Sequence, residues 1–200
     1  MAASIKSIKI GIIAEEQNDI DVIYELTTKL INSNKFTFKK FVSHGCGKLR
    51  RKCSAWAQIL KTSGCTFLIV VHDLDKNDEK KLRFTLEREL TGVNFTNSIV
   101  LIPIEEMEAW LLSDPTAIKS VFNMKKLPKI PKHPENINSP KEFLSQLVKS
   151  NSKTQYLNTV HNKRIAEAVS ISQLGACPSF TCFPPFLEQV ALSHSSQTDS

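Results

Sequence analysis

Of 200 residues, 41% are hydrophobic and 23% charged, the proportions of an ordinary globular core, and 26 Lys and Arg against 20 Asp and Glu give a formal net charge of +6. That composition excludes wholesale disorder, collagen and mucin-like sequence. No apolar run approaches the roughly 20 residues that cross a bilayer. The opening MAASIKSIKIGII carries no secretory h-region with a small-residue cleavage site, so a cytoplasmic chain without a membrane partner is expected. The five cysteines (Cys46, Cys53, Cys65, Cys177 and Cys182) include no CxxC pair, which argues for reduced, packed thiols and against a zinc ribbon or a thioredoxin-type site.

The β-branched run Ile8–Glu15 reads as a strand buried on both faces. Asn18 or Asp19 can N-cap the next helix, in which Ile20, Ile23, Leu26, Leu30 and Ile31 recur at helical spacing. Lys35–Ser43 is a second strand. After Gly45 and Gly47, Leu49, Cys53, Trp56 and Leu60 fall on one helical face, and Gly64 ends that helix. Thr66–Val71 is the clearest strand, followed by a helix over Glu79–Leu90 and a fourth strand over Ser98–Ile104, whose Pro103 suits a strand end or edge. The β-α-β-α-β-α-β order implies right-handed crossovers and a mostly parallel four-stranded sheet, an α/β fold of Rossmann-like type.

From Glu105 onward the pattern is helical. Glu105–Leu112 is one helix, Asp114-Pro115 caps the next, and a Pro- and Lys-rich loop spans Leu127–Pro134. Ser139-Pro140-Lys141-Glu142 forms a capping box, and a last helix covers about Gln155–Val169. The expected organisation is an α/β core over residues 1–112, a helical extension over 113–192 packed on it, and a disordered tail over 193–200. Trp56 and Trp110 read as core. Cys177 and Cys182, among Phe180, Phe183 and Phe186, read as packing against the sheet.

Charge is segregated along the chain. Leu26 to His72 contains no Asp or Glu but holds Lys29, Lys35, Lys39, Lys40, Lys48, Arg50, Arg51, Lys52 and Lys61; Pro115 to Pro134 is equally acid-free, with Lys119, Lys125, Lys126, Lys129 and Lys132. The acids cluster elsewhere. Glu15 ends the first strand and Asp19 opens the next helix, Asp73 and Asp75 end the third strand, and Glu105 and Glu108 follow the fourth. In a parallel α/β sheet these carboxyl ends converge on one edge, where ligands bind. Carboxylates crowded there repel one another unless a cation compensates, and hard oxygen ligands select Mg²⁺ or Mn²⁺. Segregation of this kind suits a polyanion held beside a metal. An EF-hand is excluded, because the loop starting at Asp73 has Asp78 at position six and Phe84 at position twelve. His72 should point away from Asp73 and pack, while His161 and Lys163 read as an exposed helix start.

Glu15 with Asp19 four residues on (Ile12-Ile13-Ala14-Glu15-Glu16-Gln17-Asn18-Asp19), and Asp73-Leu74-Asp75 after the third strand, resemble the Toprim fold of topoisomerases, primases and the nucleases of the OLD family (overcoming lysogenization defect). Glu16 stands where the Toprim motif hhhEGxxD has glycine, which leaves open whether Glu15 or Glu16 is the reactive carboxylate. The stretch Ile102–Asp114 is similar to the P(I/V)xxxEAWLLAD signature of small stand-alone Toprim-like proteins of unknown function, and Pro178-Ser179-Phe180 matches their C-terminal PSF element.

The resemblance implies a nuclease that hydrolyses phosphodiesters with Mg²⁺ or Mn²⁺. Glu15 and Asp19 would bind one metal, Asp73 and Asp75 would share in metal binding, and Glu108 with Glu105 behind it would complete a second site. Glu15, Asp73 and Asp75 are the catalytic candidates. Lys48, Arg50, Arg51, Lys52 and Lys163 are the candidate contacts to nucleic acid, whether DNA or an RNA such as tRNA. No GxxxxGK[ST] loop is present, so ATP hydrolysis falls to another chain. By resemblance that partner is an ABC- or OLD-type ATPase of a bacterial anti-phage system. The alternative is a non-catalytic subunit that binds nucleic acid or a partner protein. A phosphatase of small phosphate esters is a third reading. It would turn over p-nitrophenyl phosphate but not polynucleotides.

Overall fold

The computed structural model describes residues 7–31 and 36–195. Four strands, β1 (Ile8–Ala14), β2 (Phe36–Val42), β3 (Phe67–Val71) and β4 (Asn97–Leu101), form a single all-parallel sheet in the order β2-β1-β3-β4. The two central strands are the most apolar because both of their faces are covered. Side chains alternate between faces with the strand period. Ile10, Ile12, Ile69 and Val71 pack on one side, and Ile13, Leu68, Val70 and Val100 on the other.

Helices α2 (Cys46–Thr62) and α3 (Glu79–Leu90) cover the second face. The first face is covered by α1 (Gln17–Leu30) together with the C-terminal helices: α4 (Glu108–Leu111), α5 (Pro115–Val121), α6 (Pro140–Asn151), α7 (Asn158–Ala168), α8 (Ile171–Leu174) and α9 (Phe183–Ser195). One hydrophobic cluster joins Ile10, Ile12 and Val71 of the sheet to Leu144, Val148, Ile165, Phe183 and Leu187. The extension is therefore the third layer of an α/β sandwich. Among the described residues no helix is long and apolar enough to cross a membrane.

Gly11 of β1 faces α2 at close range: a Cβ there would stand 2.9 Å from Leu60 Cδ1 and 3.3 Å from Leu60 Cβ. A Gly11→Val variant should lose about 1–3 kcal/mol of stability through this overpacking. Urea denaturation monitored by far-UV circular dichroism checks it, and an unchanged midpoint would show that α2 can yield.

Several local expectations are corrected. α1 begins at Gln17 with Glu16 as its N-cap, and Asp19 is its third residue, accepting from the Glu16 N–H at 2.9 Å in a reciprocal capping box. Ser139 caps α6 without a side-chain bond. Glu106 Oε2, from a distant loop, accepts from the Lys141 N–H at 2.8 Å instead. β4 stops at Leu101, short of the expected Ile104. Ser193–Ser195 belong to α9 rather than to a disordered tail, and residues 196–200 lie outside the described residues. Cys53, Cys65 and Cys177 are buried free thiols, but Cys182 is exposed and does not pack. Trp110 is fully buried, whereas Trp56 is half-buried and stacks on Phe41 with centroids 5.5 Å apart.

Candidate active site at the carboxyl edge of the sheet

Sheet-like hydrogen bonding continues past the strands, and it carries the acids. Ser43 and His44 donate to the carbonyls of Ala14 and Glu15 at 3.0 and 2.9 Å; His72, Leu74 and Asp75 donate to those of Leu101, Pro103 and Glu105 at 3.1, 2.9 and 3.0 Å. Asp75 (φ 49°) and Glu105 (φ 58°) both occupy the left-handed region, so the chain turns out of the sheet at two adjacent non-glycine residues. That conformation is uncommon for non-glycine side chains, and such strain gathers at functional edges.

The carboxylates fall into two groups divided by the sheet. On the α1 side stand Asp19 and Glu108, both buried, with Asp73. The Tyr156 hydroxyl lies 2.8 Å from Glu108 Oε1 and 2.5 Å from Asn162 Oδ1, so two acceptors compete for its proton. Asn162 Nδ2 donates to the same Glu108 oxygen at 3.0 Å. Burial, and then the Glu108 charge, push the Tyr156 phenol well above its usual range. It acts as a neutral donor that orients Glu108. A Tyr156→Phe variant removes a hydrogen bond to a buried charge and should cost about 1.5–3 kcal/mol in urea denaturation. Wild-type stability in that variant would show that Asn162 alone holds Glu108.

On the α2 side, Glu15 faces His72 and Arg50. His72 is fully buried, its Nδ1 lying 2.6 Å from the Asp73 carbonyl oxygen and 3.1 Å from Glu15 Oε1, while its Nε2 has no partner. Burial lowers the imidazole pKa against the opposing pull of the Asp73 carbonyl. His72 therefore packs away from Asp73 as expected, and it also walls in Glu15, which was not expected. Glu16 is exposed at the helix cap and receives Asn158 Nδ2 at 3.3 Å, so Glu15 is the inward carboxylate of the pair.

Electrostatics tie the two groups together. Glu15 is raised from 4.5 to about 7 by burial and then by the charges of Asp75 and Glu16, with Arg50 opposing. Asp19 is raised from 3.8 to about 7 by burial and by Glu108, Glu16 and Glu15, against the Glu16 N–H bond. Asp73 is pushed well above its usual range by burial, then by Asp19, Glu108, Glu15 and Asp75, and so it is the carboxyl common to both groups. Two carboxylate oxygens, Glu15 Oε1 and Asp73 Oδ1, are buried without a hydrogen-bond partner. Such atoms are costly unless a cation or proton satisfies them.

The structure thus brings together Glu15, Asp19, Asp73, Asp75 and Glu108. Glu105 lies slightly apart, lining a recess of about 470 Å³ with Arg50, Asp75, Asn77 and Ser139. As the side chains stand, no group of three or more His, Cys, Asp and Glu among the described residues is arranged to hold a metal ion. The donor chemistry and the two orphaned oxygens nevertheless suit a hard divalent cation. Of the basic candidates, Arg50 adjoins the acids, and Lys48, Arg51 and Lys52 are exposed on α2. Lys163 pairs with Glu25 (3.5 Å) and Glu167 (3.7 Å) on the outer side of α1 and α7. His161 is buried against Phe122 with ring centroids 4.8 Å apart, correcting the exposed reading.

The stretches Ile102–Asp114 and Pro178-Ser179-Phe180 meet physically. Trp110 Nε1 donates to Ser179 Oγ at 2.7 Å, Ser179 Oγ donates to Glu135 Oε1, and Phe180 packs edge-on against Trp110 with centroids 5.2 Å apart. They lock α4, and with it Glu108, against the C-terminal helices.

Fold and site define a Rossmann-like α/β protein with an acidic centre at its sheet edge. The chain belongs to the DUF4276 family, a domain of unknown function, whose model matches residues 14–188. That span runs from Ala14, the last residue of β1, into the first half of α9, so it takes in most of the core and most of the extension. No curated protein and no solved structure matches the chain significantly.

Proposed function

We propose that this chain is a divalent-metal-dependent nuclease that hydrolyses phosphodiester bonds in DNA or RNA. The observation that carries the reading is Asp73, whose buried, unpartnered Oδ1 lies among four further carboxyls at the ligand-binding edge of a parallel sheet. Asp73 with Asp19 and Glu108 on one side, and with Glu15 and Asp75 on the other, would hold Mg²⁺ or Mn²⁺. The ion would supply an activated water and charge stabilisation at the leaving oxygen.

The other roles belong to the chain. Tyr156 and Asn162 fix Glu108, and buried His72 packs beside Glu15. Glu15, with a proton affinity near neutrality, is suited to take a proton at Oε1 or Oε2. Arg50, beside Asp75 and Glu105, is placed to offset phosphate charge at the mouth of the recess. The kinship to Toprim nucleases rests on the motif resemblance. So do the separate ATPase partner and the anti-phage setting, which co-purification with neighbouring gene products tests.

The function itself is tested by incubating wild type, Asp73→Ala and Glu15→Ala with plasmid DNA, single-stranded DNA and bulk tRNA in Mg²⁺ or Mn²⁺. Cleavage by wild type alone, abolished by EDTA, is the expected result. Equal cleavage by both folded variants would overturn the site. Wild-type binding without any cleavage would favour the non-catalytic subunit.

A further inference from the structure

An acidic centre repels a polyanion, so a nucleic acid brought there must draw its affinity from a neighbouring cationic surface. Of the expected basic residues of α2 only Arg50 adjoins the acids, and Lys163 on the α1 side is neutralised by Glu25 and Glu167. A second basic surface approaches the acids through Tyr156. Two recesses on the C-terminal extension, of about 610 and 490 Å³, share the Ser152-Lys153-Thr154 strap between α6 and α7 as a common wall. Lys125, Lys126 and Lys153 line the first, and Lys149, Lys153 and Tyr156 the second. All four lysines are exposed, and none of the described residues lining either recess is Asp or Glu. Among the described residues none of the four makes an ion pair, in contrast to Lys163 and Arg83. The second recess ends at Tyr156, whose hydroxyl reaches Glu108.

We propose that this paired groove is the track on which a nucleic-acid backbone docks, its phosphates on Lys125, Lys126, Lys149 and Lys153, leading past Tyr156 to Glu108 and Asp73. The proposal rests on the hydrolase reading for the direction of the track, but binding can be measured without turnover. Phosphate contacts made by exposed lysines release counterions, so each contact adds to the salt dependence of affinity.

The test is fluorescence anisotropy with fluorescein-labelled single-stranded DNA, duplex DNA and an RNA hairpin across a salt series in EDTA, where cleavage is off. Lys149→Gln/Lys153→Gln should weaken binding about tenfold, and should flatten the log–log salt slope by about 1.4 for a single strand or about 1.8 for a duplex. The charge-matched Lys80→Gln/Arg88→Gln pair on α3 should leave affinity and slope close to wild type. Equal weakening by both pairs would overturn the groove as nonspecific charge, and so would absence of wild-type binding to all three probes. The probe with the largest loss identifies the backbone form that the groove accepts. Groove-dependent binding without cleavage in Mn²⁺ leaves the track standing and removes the hydrolase reading.

Discussion

Asp73→Asn is expected to abolish cleavage while raising the melting temperature of the metal-free protein at pH 8. The carboxyl is isosteric with the amide, so packing is retained, but the amide carries no charge to bury among Asp19, Glu108, Glu15 and Asp75. Each pKa unit by which folding raises a carboxyl is worth about 1.4 kcal/mol against the ionised form. For a chain of this size each such increment moves the melting temperature by roughly 3–6 °C. The gain should shrink as the pH falls, because burial and the neighbouring carboxylates push the wild-type carboxyl toward its protonated form. Activity and stability moving in opposite directions is the signature of a group retained for function at a cost to the fold. A variant that is both inactive and less stable would instead make Asp73 a structural residue.

The second large effect concerns pH and divalent ions together. Glu15 and Asp19 each titrate near 7 in the folded chain, against 4.5 and 3.8 as their ordinary values. A folded pKa above the unfolded one means that the native state binds more protons between those values, so stability falls as pH rises. Their contribution is fully present below about pH 4 and is lost as the pH passes about 7, a swing of several kcal/mol for the two groups together. In EDTA the protein should therefore melt lower at pH 8 than at pH 5.5. At pH 8, millimolar Mg²⁺ or Mn²⁺ should recover much of the difference by binding only the folded state. Differential scanning fluorimetry over a pH series with and without ion checks both halves. A melting temperature that rises from pH 5.5 to 8 in EDTA would contradict the electrostatic picture, and insensitivity to divalent ions at pH 8 would contradict the metal site.

Much of the sheet was legible because its signals are local. The continuous apolar runs of β1 and β3 and the four-residue spacing of Leu82, Leu86 and Leu90 depend only on neighbours in the chain, and strand ends place Glu15, Asp73 and Asp75 at one edge by topology alone. What stayed hidden depends on distant residues. Tyr156 and Asn162 lie in the extension, 48 and 54 positions from the Glu108 they orient, and no spacing rule links them. Glu106, next to Glu105 in the chain, caps α6 across 35 residues. His161 has the composition of a solvent-facing helix start but is buried against Phe122 and Tyr156. Lys163 looked like a phosphate contact until α1 brought Glu25 beside it. His72 was read correctly as facing away from Asp73, but its contact with Glu15 depends on which way a long side chain leaves the end of β1.

The central claim is that this carboxylate edge binds a divalent cation through Asp73. It is tested most directly by titrating Mn²⁺ into the purified chain at pH 8 and reading free ion by electron paramagnetic resonance, beside Asp73→Asn and an Asp78→Asn control outside the cluster. The account predicts saturable binding by wild type and the control, and loss of it in Asp73→Asn. Equal binding by all three proteins, or none by any of them, would contradict it.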